Sequence, residues 1–73
     1  MTIERAIETI EYKVATDSDR FNTGASIKME ISSAWPPLTE LSEALRRRNP
    51  TVAVTYDFQP NDVIKLIINK VGG

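Results

Sequence analysis

The feature that most constrains the fold of this chain is its densest apolar run, residues 63–71, which follows a turn signal at residues 59–62. Five of the nine residues in the run are β-branched, and apolar residues alternate with Lys65 and Asn69. Alternation and β-branching both favour a half-buried strand. A helix capped by Asp62 is the alternative, and the many β-branched residues disfavour it. We therefore predict a final strand over residues 63–71.

Two further stretches in which apolar and polar residues alternate predict strands upstream of this run. They are residues 26–32 and residues 51–58. Between them, residues 37–48 place leucines at helical spacing, with glutamates early and arginines late, which suits the dipole of a helix. Asn49 and Pro50 end this predicted helix, because the residue before a proline avoids the helical conformation.

The N-terminal segment carries two patterns in succession. Over residues 2–8 apolar residues recur at helical spacing behind Thr2, a residue suited to an N-cap, and they predict a short helical turn. Over residues 8–15 the pattern changes to alternation, which predicts the first strand. Residues 16–24 are rich in turn-forming side chains and are predicted to be the loop of a hairpin.

Together these elements predict a single α+β domain over residues 1–73, in ββαββ order, with its sheet packed on one helix and a flexible tail at residues 70–73. The chain has no cysteine and no histidine, which excludes histidine-based hydrolase sites, zinc sites and thiol redox motifs. A calcium loop beginning at Asp17 is excluded too, since an EF-hand needs Gly and Glu where this chain has Asn22 and Lys28. We therefore expect no enzyme activity, no metal and no cofactor.

The charge and hydropathy of the chain bound its partners. A formal net charge of −1 does not call for nucleic acid, which is bound through clustered positive charge. No apolar run approaches the roughly 18 residues that span a bilayer, and the N-terminus lacks the apolar core of a signal peptide. The expected partner is therefore a protein rather than a membrane or a nucleic acid, and the expected location is the cytoplasm.

Two glycines, Gly72 and Gly73, follow the predicted last strand. Glycine keeps a chain end thin and lets it adopt unusual dihedrals, as a carboxylate entering the active site of a partner enzyme requires. An acidic turn, an apolar strand and this Gly-Gly pair make residues 62–73 similar to the C-terminal segment of ubiquitin-like β-grasp proteins. The resemblance is to the small sulfur carriers of thiamin and molybdopterin synthesis and to the archaeal ubiquitin-like modifiers, and it extends to the predicted order of elements.

The resemblance implies a β-grasp-like fold and a carrier or modifier function. In that family a separate ATP-dependent enzyme activates the C-terminal carboxylate, here that of Gly73, as an acyl-adenylate. The product is then a thiocarboxylate for sulfur transfer or an amide to a lysine of another protein. The adenylating enzyme supplies the catalysis, and this chain supplies a handle and a docking surface.

The alternative function is that of a non-catalytic interaction module, a small regulator or inhibitor of another protein. Trp35 lies beside two prolines, and tryptophan is frequent among interface hot spots. Arg46, Arg47 and Arg48 form a run whose guanidinium groups match the geometry of phosphate, so a nucleic acid is the less favoured partner of such a module. An exposed sheet edge is a third docking surface of this kind. The plain structural interpretations are an indole that covers one end of the core and a solvated helix end.

Overall fold

A computed structural model describes residues 1–71, which form helices on one side of a three-stranded sheet. The elements in chain order are α1 (Ile3–Thr16), α2 (Ser18–Asn22), β1 (Ile27–Ile31), α3 (Leu38–Arg48), β2 (Val52–Phe58), a 3-10 turn (Pro60–Asp62) and β3 (Ile64–Lys70). None of the helices in residues 1–71 is long and apolar enough to cross a membrane.

Helix α1 takes the place of the predicted first strand. Its buried residues form one stripe at helical spacing: Ala6, Ile7 and Ile10. The prediction of a strand over residues 8–15 was wrong. Tyr12 and Val14 alternate with polar residues, as in a strand, but Val14 also continues the helical stripe, and the helix is the structure that forms. In the helix Val14 packs against the core, whereas Tyr12 is 69 % exposed. The predicted helical turn is confirmed as the start of α1, and it continues to Thr16.

Helix α2 lies inside residues 16–24, which were predicted to be a hairpin loop. This five-residue helix buries Phe21, the one aromatic residue of that polar stretch. The chain then turns at Gly24, whose φ of 92° lies in the left-handed region that glycine enters without steric cost. The Gly24 N–H donates to the carbonyl of Phe21 at 3.1 Å, which ends the helix and directs the chain into β1.

The predicted helix and the other three predicted strands are confirmed, each shorter by one residue at one or both ends. Residues 63–71 form strand β3 rather than a helix. The N-cap prediction is confirmed as well, because the Thr2 hydroxyl accepts a hydrogen bond from the Arg5 N–H at 3.2 Å. Of the residues predicted to form a tail, Lys70 belongs to β3 and the N–H of Val71 donates to the carbonyl of Thr51 at 2.7 Å.

The sheet has the order β1-β3-β2, and β3 is antiparallel to both of its neighbours. Strands β1 and β2 are therefore parallel to each other, and α3 crosses over between them while β3 fills the gap. In the register Ile68 of β3 lies between Ile27 of β1 and Val54 of β2. The predicted ββαββ order is thus wrong at its first strand, and the β-grasp arrangement is not confirmed for residues 1–71. What holds is the broader prediction of a small α+β protein.

The core lies between the sheet and helices α1 and α3. The largest side chains that are fully buried come from both helices and the central strand: Ile10, Leu41, Leu45, Leu66 and Ile68. Helices α1 and α3 form this layer together, rather than the single helix predicted, and Phe21 of α2 adds to the same core. The other face of the sheet carries residues such as Lys28, Glu30 and Lys65, all exposed. The protein is therefore a two-layer structure with one open sheet face.

Candidate functional site

The residues singled out from the sequence do not come together in the structure. Gly72 and Gly73 lie outside the described residues. Trp35 is partly buried and packs against the core, so the interpretation of its indole as a cover for the core is the one that the structure supports. Pro36, beside it, is buried. Trp35 precedes α3, and the arginines lie at the other end of that helix. A helix of eleven residues is about 16 Å long, so the two features are far apart.

The three arginines also point in different directions. Arg48 faces α1, where its Nη2 lies 3.4 Å from Oε1 of Glu11. The other carboxylate oxygen of Glu11 accepts from Nδ2 of Asn49 at 2.8 Å, so Glu11 joins α1 to the end of α3. Arg46 and Arg47 lie on the opposite side of α3, along an open groove that also contains Glu43. The run is therefore not a single cationic cluster.

The outer edge of β2 is a different kind of surface, made of backbone groups. On the β3 side, Val71 N–H donates to the Thr51 carbonyl and Gln59 N–H donates to the Val63 carbonyl, both at 2.7 Å. Residues two apart on a strand direct their backbone groups the same way, so the odd-numbered residues of β2 bond to β3. The even-numbered residues Val54, Tyr56 and Phe58 therefore direct their N–H and C=O groups outward. In residues 1–71 no other strand pairs with this edge.

Phe58 ends this strand and is 72 % exposed, although its side chain lies on the helix side of the sheet. The reason is the position at which α3 begins. The Tyr56 hydroxyl donates to the carbonyl of Pro36 at 2.7 Å, which places Tyr56 level with the start of α3. Phe58 lies two residues further along the strand, beyond the cover of the helix. The two rings meet edge to face, with centroids 6.3 Å apart.

At the other end of β2, the side of α3 that faces away from α1 forms a groove with the strand. The residues that line this groove come from α3, from β2 and the turn before it, and from the residue after β3: Ser42, Leu45, Arg46, Pro50, Val52, Ala53, Val54 and Val71. We call the outward backbone groups of β2, the Phe58 ring and this groove the β2-edge surface. It combines hydrogen-bonding groups, an exposed aromatic ring, and a groove lined by both apolar and polar side chains, with Arg46 as its one cation.

The opposite edge of the sheet differs from this one. Strand β1 has five residues, and it carries Lys28 and Glu30 on the open face. Short length and charged side chains are devices by which proteins discourage pairing at an edge. Strand β2 has seven residues and a single charged side chain, Asp57. Of the two edges, β2 is the one without such protection.

Tyr56 is the residue of the site whose pKa is shifted. Burial raises the pKa of Tyr56 above its usual value, so its hydroxyl stays a neutral hydrogen-bond donor near pH 7. Within residues 1–71 there is no cluster of three or more carboxylates that could hold a metal ion. The arrangement can accept an added strand and cover its side chains.

The sequence predicts an exposed sheet edge as one docking surface, but its pattern does not identify β2 as that edge. The alternation of residues 51–58 correctly placed Phe58 on the same face as Val54. Whether that face is covered at a given residue depends on where α3 lies above the strand. One sequence signal for an unprotected edge was present. The alternating pattern of residues 51–58 carries aromatic residues up to the turn at residue 59 and contains no lysine or proline.

Comparison of the chain with protein-family models, with curated proteins and with solved structures found no match. The support for the candidate site is therefore the geometry of its own residues.

Proposed function

We propose that this protein is a non-catalytic interaction module that binds a protein partner through the β2-edge surface. The observation that carries the proposal is the unprotected seven-residue edge of β2 with Phe58 exposed at its end. An added strand would satisfy the outward N–H and C=O groups of Val54, Tyr56 and Phe58. Strand addition of this kind takes its affinity from backbone hydrogen bonds and its specificity from alternate side chains.

The side chains beside the edge favour binding over simple solvation. Aromatic residues are enriched at the centres of interfaces, and Phe58 adds its ring to that of Tyr56. The groove next to Val52 and Val54 offers some apolar surface, and Arg46 is among its lining residues. A partner strand would cover the ring and the groove at once, and removal of their apolar surface from water would add to the backbone bonds.

The test compares two exposed aromatic residues on different surfaces. Phe58→Lys changes the β2 edge, and Tyr12→Lys changes an equally exposed ring on α1, 69 % against 72 % exposed. Tagged wild type and both variants are used to capture partners from the cells of origin, including untagged copies of the chain itself. Each captured protein is then purified and its affinity for the three forms is measured by calorimetry.

We expect a partner that binds wild type and Tyr12→Lys alike and binds Phe58→Lys at least tenfold more weakly, the loss typical of an interface aromatic. Hydrogen exchange on the complex should protect the amides of Val54, Tyr56 and Phe58. Equal binding to both variants, or protection confined to β1 or α1, would place the interaction elsewhere and contradict the proposal.

The carrier function stays a prediction, and the observation that supports it is the Gly72-Gly73 pair in the sequence. The fold does not add to it, since the predicted ββαββ order was wrong at the first strand. Intact-mass measurement of the protein from its own host, beside a variant that lacks Gly72 and Gly73, tests it directly. Replacement of one carboxylate oxygen by sulfur, or a covalent conjugate formed only with both glycines present, would establish the carrier function. An unmodified chain would leave the interaction module as the function.

A further inference from the structure

We propose that the partner at the β2-edge surface is a second copy of this chain, joined through antiparallel pairing of the two β2 strands. This inference rests on the proposed function and names the occupant of its site. The two-fold axis would pass beside Thr55, perpendicular to the sheet, and the two three-stranded sheets would become one sheet of six strands. An interface of this type is isologous, so each feature must find its complement on the same surface.

The backbone of β2 is self-complementary in one register that uses the whole strand. Only outward-facing residues can exchange hydrogen bonds, and these are the even-numbered ones. With Thr55 opposite Thr55 of the copy, Val54 lies opposite Tyr56 and Val52 lies opposite Phe58. Each Val54–Tyr56 pair exchanges two bonds, and each Phe58 N–H donates to a Val52 carbonyl. The Val52 N–H needs no new partner, because it already donates to the carbonyl of Asn49 at 3.0 Å.

The same register places the exposed Phe58 ring of one copy at the groove of the other. Phe58 of one copy would lie beside Val52 of the other, on the helix side of the sheet. Val52 lines the groove that includes Leu45 and Arg46. The ring would thus gain apolar contacts and the guanidinium of Arg46, which is attracted to the electron-rich face of an aromatic ring. The symmetry repeats this contact, so both exposed rings are covered.

The charges are complementary in this arrangement. Each ring face meets the cation Arg46, and the only charged residue of the strand, Asp57, would lie opposite the uncharged Ala53. Asp57 already has Lys65 as its neighbour in β3. No pair of like charges faces across the strands, and a net charge of −1 gives the two copies little overall repulsion.

The first test uses the residue on the axis. Thr55 is exposed on the open face, and in this register it lies opposite its own copy. Thr55→Lys or Thr55→Glu therefore puts two like charges together only if the chain pairs with itself in this way. We expect wild type to sediment as a dimer. Each variant alone should have a Kd for dimer dissociation at least about fivefold higher. An equal mixture of the two variants should recover a dimer, because lysine then lies opposite glutamate. Recovery in the mixture also shows that the variants are folded.

The second test uses the absence of cysteine from the chain. At a non-hydrogen-bonded pair such as Thr55 with its copy, the Cα atoms lie about 4.5 Å apart, within the range that a disulfide spans. Thr55→Cys should therefore form a disulfide-linked dimer rapidly on mild oxidation. Lys28→Cys, an exposed residue on the same face of the other edge strand, is the matched control and should cross-link only slowly.

Two results would overturn the inference. One is a wild-type chain that sediments as a monomer at all concentrations. The other is a mixture of Thr55→Lys and Thr55→Glu that stays monomeric while Thr55→Cys cross-links no faster than Lys28→Cys. If the chain is monomeric and a different protein still loses affinity for Phe58→Lys, the occupant proposed here is wrong and the interaction module stands. If neither self-association nor capture depends on β2, both proposals fail.

Discussion

The Tyr56 hydroxyl joins β2 to the start of α3 by donating to the Pro36 carbonyl at 2.7 Å. Tyr56→Phe keeps the ring and removes this bond, so we expect the free energy of unfolding to fall by about 1 kcal/mol. Urea denaturation measures the change. Tyr12→Phe is the control, because its hydroxyl lies on an exposed side chain, and its effect should stay within about 0.5 kcal/mol. Equal losses in the two variants would contradict a special role for the Tyr56 bond.

The same hydroxyl predicts a dependence on alkaline pH. Burial raises the pKa of Tyr56, so the folded protein holds this proton to a higher pH than the unfolded chain, in which tyrosine titrates near 10. Above about pH 10 the unfolded state therefore binds fewer protons than the native state, and stability falls as the pH rises. The advantage of wild type over Tyr56→Phe should be constant from pH 7 to about 9 and shrink above 10. Urea midpoints of both proteins across this range measure it, and a constant difference at all pH values would contradict the assignment.

At the scale of elements, the turn between β2 and β3 depends on two residues in the left-handed region, Asn61 at φ 69° and Asp62 at φ 61°. The turn is closed by the Gln59 N–H, which donates to the Val63 carbonyl at 2.7 Å. A β-branched residue is strained at such a φ, so Asn61→Val should lower the free energy of unfolding by about 1–2 kcal/mol. Asn61→Gly should be neutral or stabilising, and thermal unfolding compares the two. If valine is tolerated as well as glycine, the turn does not have this conformation in solution.

Where two patterns compete over the same residues, the prediction succeeded only when a second signal decided between them. Residues 63–71 have a helical alternative, yet their β-branching decided correctly for a strand. Residues 8–15 satisfy alternation, but Ile10 and Val14 also continue a helical stripe that begins at Ile3. Local spacing alone does not choose between these patterns. The choice follows from which side chains find a core, and Tyr12, rather than Val14, is left in solvent.

At the scale of the whole molecule, the candidate site depends on contacts between distant parts of the chain. The alternation of residues 51–58 predicts a strand and its two faces. It does not predict that β3 inserts between β1 and β2, which leaves β2 at an edge. Nor does it predict that α3 begins level with Tyr56 and leaves Phe58 uncovered. Both facts depend on the order of strand pairing and on the length of a crossover helix, and these are non-local properties.

The two-layer architecture makes neighbouring residues of the central strand unequal, and this inequality is testable. Leu66 is fully buried under the helices, whereas Ile67 lies on the open face and is partly exposed. Leu66→Ala should lower the free energy of unfolding by about 2–5 kcal/mol, since it leaves a cavity in the core. A chain of 73 residues has a free energy of unfolding of only about 4–11 kcal/mol, so much of this variant should be unfolded at moderate temperature.

Ile67→Ala leaves no enclosed cavity and should lower the free energy of unfolding by about 1 kcal/mol or less. Circular dichroism followed through urea denaturation measures both. Similar losses at the two positions would mean that the open face of the sheet is covered in solution, either by another part of the protein or by a partner on that face rather than at the β2 edge.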